Sequence, residues 1–156
     1  MATRPHRLLV VHHTVSPATE AMLDAVLRGT RAEEITGVDV VTKAALAATA
    51  SDVLAAGAVA LGTPANLGYI SGALKHFFDQ IYYPVREEAR GTAYGLFLHA
   101  NEGPDGAQRA VETITTGLRW ERAVPDVVVR DAPTAADLEA CWELGATLAA
   151  GLMPAD

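Results

Sequence analysis

The chain has little with which to crosslink itself, hold nucleic acid or cross a membrane. One of its 156 residues is a cysteine, Cys141, so no internal disulfide is possible and a reducing compartment is expected. Lysine and arginine total 12 against 19 aspartates and glutamates, for a formal net charge of −7. Binding nucleic acid by counterion displacement needs the opposite balance, so no nucleic-acid partner is expected. No apolar run approaches the ~20 residues of a membrane-spanning helix. The run Leu8-Leu9-Val10-Val11 is too short for the core of an export signal and ends in His12-His13. A cytoplasmic protein with no membrane partner is the expectation. The five histidines are scattered, with no carboxylate at metal-ligand spacing, so no metal site is expected.

Several chemical signatures are also missing. There is no G-x-G-x-x-G dinucleotide fingerprint and no P-loop G-K-S/T. Ser71 lacks the G-x-S-x-G setting of a nucleophile elbow. A phosphorylated receiver would need an acidic cluster after its first strand and an aspartate ending its third, where this chain has His12-His13 and Gly62-Thr63.

What the chain does have is alternation. Half of its residues are apolar and a fifth are charged, an ordinary globular balance, and the length predicts a single domain over residues 1–156. Arg7–Val11 reads as a buried strand, and Thr19–Arg31 as a helix with Met22, Leu23, Val26 and Leu27 on one face. Val38–Val41 reads as a second strand, followed by a short Ala-rich helix near Ala44–Ala50, with Ser51-Asp52 capping the next turn. Ala58–Leu61, Thr92–Ala100 and Val124–Val129 complete five strands. Gly72–Tyr82, Pro104–Arg119 and a last helix from Pro133-Thr134 to about Ala150 complete the helices. Strands and helices in strict alternation predict an α/β fold: a five-stranded parallel sheet in the order 2-1-3-4-5, with helices on both faces.

The most specific stretch is residues 62–79, GTPANLGYISGALKHFFD. It opens with a Gly-Thr-Pro turn after the third strand, passes through Gly68 to Ser71-Gly72, and becomes helical with Leu74, Phe77, Phe78 and Ile81 in register. A strand emptying into a small-residue loop and then a helix is how an open α/β sheet builds a ligand lip at its carboxyl edge. This stretch resembles the flavodoxin-like FMN proteins. Within them it is most similar to the NAD(P)H:quinone oxidoreductase branch of tryptophan-repressor-binding type and to the NADPH-dependent FMN reductases. The resemblance implies a flavodoxin-like three-layer sandwich.

It also implies where a cofactor would lie. Flavodoxin-type proteins follow strand one with a hydroxyl-rich turn, onto which Thr14, Ser16 and Thr19 fall, with Ala18 inside it. A phosphate at a helix N-terminus is held by free backbone N–H groups and the positive end of the helix dipole. Hydroxyls add donors, and no lysine or arginine occurs between Arg7 and Arg28. Pro17 stands where the family pattern has glycine, and it has no N–H to offer. Thr/Ser/Thr before a helix is equally the pattern of a helix cap. In the second loop, Thr63, Pro64, Ala65, Asn66, Leu67 and Gly68 would line the flavin, with Tyr69 near its edge. Leu67 stands where the quinone-reductase branch often has an aromatic. In the third loop, His99, Asn101 and Gly103 would meet the flavin, and Glu102 would lower its potential. His99 could donate a hydrogen bond or a proton to bound substrate, or be a structural histidine.

The function implied is an FMN-dependent oxidoreductase that passes electrons from NAD(P)H through FMN to a quinone or similar small acceptor. The alternatives are a non-enzymatic electron carrier serving a redox protein, and a cofactor-free binding protein of the same fold. A homo-oligomer, dimer or tetramer, accompanies the reductase reading, with Tyr82-Tyr83-Pro84 available for a contact.

Overall fold

In the computed structural model, which describes residues 4–156, strands and helices alternate along almost the whole chain. The elements are β1 (Arg7–His12), α1 (Pro17–Thr30), β2 (Asp39–Ala44), α2 (Ala50–Leu54), β3 (Ala58–Asn66), β4 (Tyr69–Ile70), α3 (Gly72–Val85), β5 (Ala93–His99), α4 (Pro104–Leu118), β6 (Glu121–Arg122), β7 (Val127–Val129) and α5 (Ala135–Ala150). β1 pairs in parallel with β2 and β3, and β3 with β5. β5 then pairs in parallel with both β6 and β7.

The sheet has seven strands where five are predicted, and both extra strands have a local cause. β4 folds back antiparallel on the end of β3 as a hairpin. β6 and β7 are two halves of one edge strand, broken around Val124-Pro125, where proline cannot donate to the ladder. Taken as one strand, β6/β7 completes the order β2-β1-β3-β5-β6/β7, which is the 2-1-3-4-5 arrangement.

Alternation along the strands sorts the core. Leu9, Val11, Val59, Leu61, Leu96 and Leu98 face α2, α3 and α4, where Leu74, Phe77, Phe78, Ile81, Val111 and Leu118 are buried. Leu8, Val10, Ala58, Ala60 and Phe97 face α1 and α5, where Met22, Val26, Cys141, Leu144 and Leu148 close the other layer. Burial and then the charge of Asp137 push the Cys141 thiol up to about 12, so it stays protonated and acts as a small apolar side chain. α1 and α5 touch backbone to backbone. A Cβ on Gly29 would overlap the Trp142 carbonyl, and one on Gly145 would overlap that of Val26.

Three local expectations need correcting. The Ala-rich helix near Ala44–Ala50 is a turn. Helix starts only at Ala50, because Thr49 caps it and Asp52 closes a capping box back onto the Thr49 N–H at 2.9 Å. Gly62-Thr63-Pro64 is strand, not turn: it continues β3 in parallel register with Phe97, Leu98 and His99 of β5. Helix α3 runs on to Val85, accommodating Pro84 in its last turn.

Candidate functional site

Because β1, β3 and β5 are neighbours, the three loops that follow them meet at one carboxyl edge. The first leaves β1 at His12, and the His13 N–H donates to Gly62 O at 3.0 Å, lashing the exit of β1 to β3. Ser16 is the N-cap of α1. Its Oγ accepts from the Thr19 N–H at 3.2 Å, and Thr19 Oγ1 accepts from the Ser16 N–H at 3.1 Å. The two hydroxyls lie 2.9 Å apart, and Thr19 also donates to Ser16 O. Both hydroxyls are therefore spent on the cap, and Thr19 is buried. Among the described residues, the N–H groups of Val15 and Ala18 have no protein acceptor. Pro17 occupies the first helical position, which it suits. The Thr14 hydroxyl sits 2.9 Å from His12 Nδ1. Burial, and next the neighbouring charge of His13, hold the His12 ring below the ordinary histidine range.

The second loop is the β3–β4 hairpin, in which Ala65 pairs with Ile70 and Asn66 with Tyr69. Its two central residues, Leu67 and Gly68, have φ of 53° and 76°. Positive φ at both positions is the type I′ pattern that right-twisted strands favour, and it normally selects Asn or Gly at the first of them. A leucine there is strained, and its side chain is fully exposed. The base of the hairpin is clamped from inside. Ser71 N–H donates to Thr63 Oγ1 at 3.1 Å, the two hydroxyls lie 3.1 Å apart, and Ser71 Oγ then caps α3 by accepting from Leu74 N–H. Thr63 is 2% exposed, so its side chain holds the loop and presents nothing to the surface.

The third loop runs from His99 to Pro104. His99 Nε2–H donates to Asp131 O at 2.8 Å, and Asp131 itself lies at φ 56°. The Ala100 N–H donates to Val129 O. Asn101, Glu102 and Gly103 are exposed. Gly103, at φ 57°, is the N-cap of α4 and supplies no side-chain cap. The hairpin of the second loop is in direct contact with the helix that follows the third, since a Cβ on Gly106 in the first turn of α4 would overlap the Gly68 carbonyl oxygen. On the α4 side of that contact, Tyr69, Arg109, Ala110, Thr113 and Ile114 line a cleft of about 350 Å³.

The residues read from the sequence as cofactor-lining thus lie along one edge, though in different roles. Thr14, Ala18, Asn66, Leu67, Gly68, Asn101 and Gly103 are at least partly open, whereas Thr19 and Thr63 are internal. Gly106 and Asp131 escape sequence reading. A glycine three residues into a helical pattern is a signal of close approach, but its partner 38 positions earlier is not legible. No group of three or more histidines, cysteines or carboxylates among the described residues could hold a metal ion. The edge does fit an FMN-like ligand. A helix start offers unpartnered N–H groups with no lysine or arginine in the loop itself, and space is open above Gly68, Gly72 and Gly103.

No family model matches the chain. Over 112 residues, 72% of its length, it is 32% identical to a curated protein described as flavodoxin, from Aquifex aeolicus (strain VF5), and it spans 60% of that relative's length. Among solved structures it resembles a flavodoxin from the domain Archaea, with a TM-score of 0.78 and 20% identity over 94% of this chain and 98% of that one. It also resembles a flavodoxin described as WrbA-like, from Agrobacterium tumefaciens, with a TM-score of 0.72 and 20% identity over 94% and 96% of the two chains. At such identities these structural likenesses speak to fold, and the fold is flavodoxin-like.

Proposed function

We propose that the chain is a flavodoxin-family protein that binds FMN at its carboxyl edge and serves as an electron carrier to protein partners. The observation that carries this reading is the meeting of a cation-free helix start, whose Val15 and Ala18 N–H groups are unpartnered, with a hairpin that holds a large apolar side chain in strained, open backbone. Strain of that kind is retained where a ligand gains from it. The Thr14 hydroxyl and the α1 N–H groups would hold the phosphate, Leu67 and Gly68 would lie against the ring, and Asn101 and Gly103 would meet its pyrimidine side. FMN, when bound, supplies the redox chemistry, and the protein supplies orientation and electrostatics.

Two features favour a carrier. The connection from β5 to α4 is only Ala100 to Gly103, and nothing in it would wall off the flavin edge. The net charge of −7 suits docking to basic redox partners. The second reading is an NAD(P)H-dependent quinone reductase, supported by the Gly-Thr-Pro…Ser-Gly form of residues 62–72. In the fold, however, Thr63 and Ser71 of that motif form the hairpin clamp, a structural duty that says nothing about the electron's destination.

The test is reconstitution with FMN, followed by assay. A carrier cycles electrons from a flavoprotein reductase without oxidising NAD(P)H in the presence of a quinone, whereas rapid quinone turnover would favour the second reading. Two substitutions probe the site. Thr14→Ala is expected to weaken FMN by about 1 kcal/mol, read by quenching of flavin fluorescence. Leu67→Gly is expected to stabilise the apo fold by about 1 kcal/mol in urea denaturation, since it relieves the positive-φ cost, while lowering FMN affinity. Unchanged affinity would mean that Leu67 does not touch the ring.

A further inference from the structure

We propose that His12 sets the direction of the Thr14 hydroxyl, so that a proton on His12 Nδ1 turns Thr14 into a hydrogen-bond donor for a phosphate monoester at the start of α1. This rests on the phosphate reading above and adds a positioning residue to it.

The inference follows from counting donors. Ser16 and Thr19 tie their hydroxyls to each other in the capping box, and Pro17 has no N–H. No lysine or arginine lies between Arg7 and Arg28. Thr14 is the one side-chain hydroxyl of the loop outside the cap, and it is bonded to His12 Nδ1 at 2.9 Å. A hydroxyl has a single proton. When Nδ1 is bare it can only accept, so Thr14 donates inward to the ring and shows lone pairs to the loop. Oxygens of a phosphate dianion also only accept, and two acceptors repel. When Nδ1 carries a proton the bond reverses: the ring donates to Thr14 Oγ1, and the hydroxyl proton is released toward the ligand. His12 is thus a relay that touches Thr14 and leaves the phosphate to it.

The surroundings leave the resting ring neutral, and the relay takes its one proton to sit on Nε2, the tautomer that leaves Nδ1 bare. Desolvation and the charge of His13 both disfavour protonation of His12. From the neighbouring elements, β2 offers Lys43, which pairs with Asp52 at 3.1 Å. α1 offers Glu20 in its exposed first turn, and α5 offers Asp137, tied to the Thr134 cap. β3 has no titratable group at its end. Of these charges, His13 is the one that adds to burial in holding His12 below the ordinary range. An arriving phosphate supplies the missing opposite charge, so binding and protonation reinforce each other.

The experiment is ¹H–¹⁵N spectroscopy of the imidazole nitrogens across pH 5.5–8, on the apo protein, with FMN, and with riboflavin, which lacks the phosphate. FMN is expected to place a proton on His12 Nδ1 and raise the ring's pKa by about one unit, equivalent to tenfold tighter binding by the protonated form. Riboflavin should leave the ring unmoved. Relative to His12→Ala and Thr14→Val, the wild type should gain FMN affinity about fivefold from pH 7.5 to 5.5, the part of the full tenfold that this pH window spans, and Thr14→Ser should restore the effect. The phosphate's own titration is common to all four proteins and cancels. FMN binding with an unchanged His12 ring would overturn the relay and leave the flavin reading standing. Failure of both FMN and riboflavin to bind would overturn the two together.

Discussion

Gly106→Ala should cost the protein about 1–3 kcal/mol of stability and at least about tenfold in FMN affinity, although alanine is the better helix former. By helix propensity alone, the exchange in the first turn of α4 should stabilise by about 1 kcal/mol. The added methyl, however, would occupy the position of the Gly68 carbonyl oxygen, which is backbone and cannot rotate away. Either α4 lifts from the hairpin or the Leu67-Gly68 turn is driven out of its left-handed geometry. Both movements displace groups that would meet the ring, since Gly103 caps α4 and Leu67 tops the hairpin. Urea denaturation and FMN titration of the same variant would measure both losses. A variant more stable than the wild type would show that the contact is loose and that the two loops move independently.

Gly145→Ala is expected to destabilise by a similar or larger amount, about 2–3 kcal/mol, through overpacking on the opposite layer. Here two helices are in close backbone contact, with Gly29 and Gly145 each facing a carbonyl of the other helix. The consequence for the site is indirect. α1 carries the proposed phosphate loop at its N-terminus, so a shift of α1 against α5 should weaken FMN while leaving the hairpin geometry intact. Thermal or urea unfolding of Gly145→Ala would check the first part, and the affinities of FMN and riboflavin would separate the second.

The fold was largely legible because the strands declare themselves as short β-branched or aliphatic runs and the helices by their apolar spacing. Pro104–Arg119 and Thr92–Ala100 are found within a residue at each end. The misreadings come from reading residue preference one position at a time, where strand pairing or a neighbouring cap or proline decides. Gly62-Thr63-Pro64 has turn composition, yet pairing with Phe97 to His99 of β5 keeps it extended. The alanines after β2 have helix propensity, but the Thr49–Asp52 box sets where helix begins. Val124–Val129 reads as one strand until Pro125 interrupts its ladder.

The candidate site was legible in location, because loops after adjacent parallel strands must share an edge. Its internal wiring was not. Ser16 and Thr19 carry the same residue types whether they bind a phosphate or close a cap, and only their 2.9 Å separation shows the hydroxyls spent on each other. The Gly106–Gly68 contact and the His99–Asp131 bond join residues more than thirty positions apart. Leu67 could be placed in its loop from sequence, but its positive φ and full exposure, which give it meaning, belong to the fold.

On this reading the carboxyl edge holds FMN with the phosphate at the start of α1. Parallel titrations of the purified apo protein with FMN and with riboflavin test it most directly, followed by flavin fluorescence and visible absorbance. FMN is expected to bind with a Kd below about 10 μM and riboflavin at least about tenfold more weakly, the difference being what the phosphate contributes. Equal affinities would contradict the phosphate loop, and no binding of either ligand at tens of micromolar would contradict the flavin site itself.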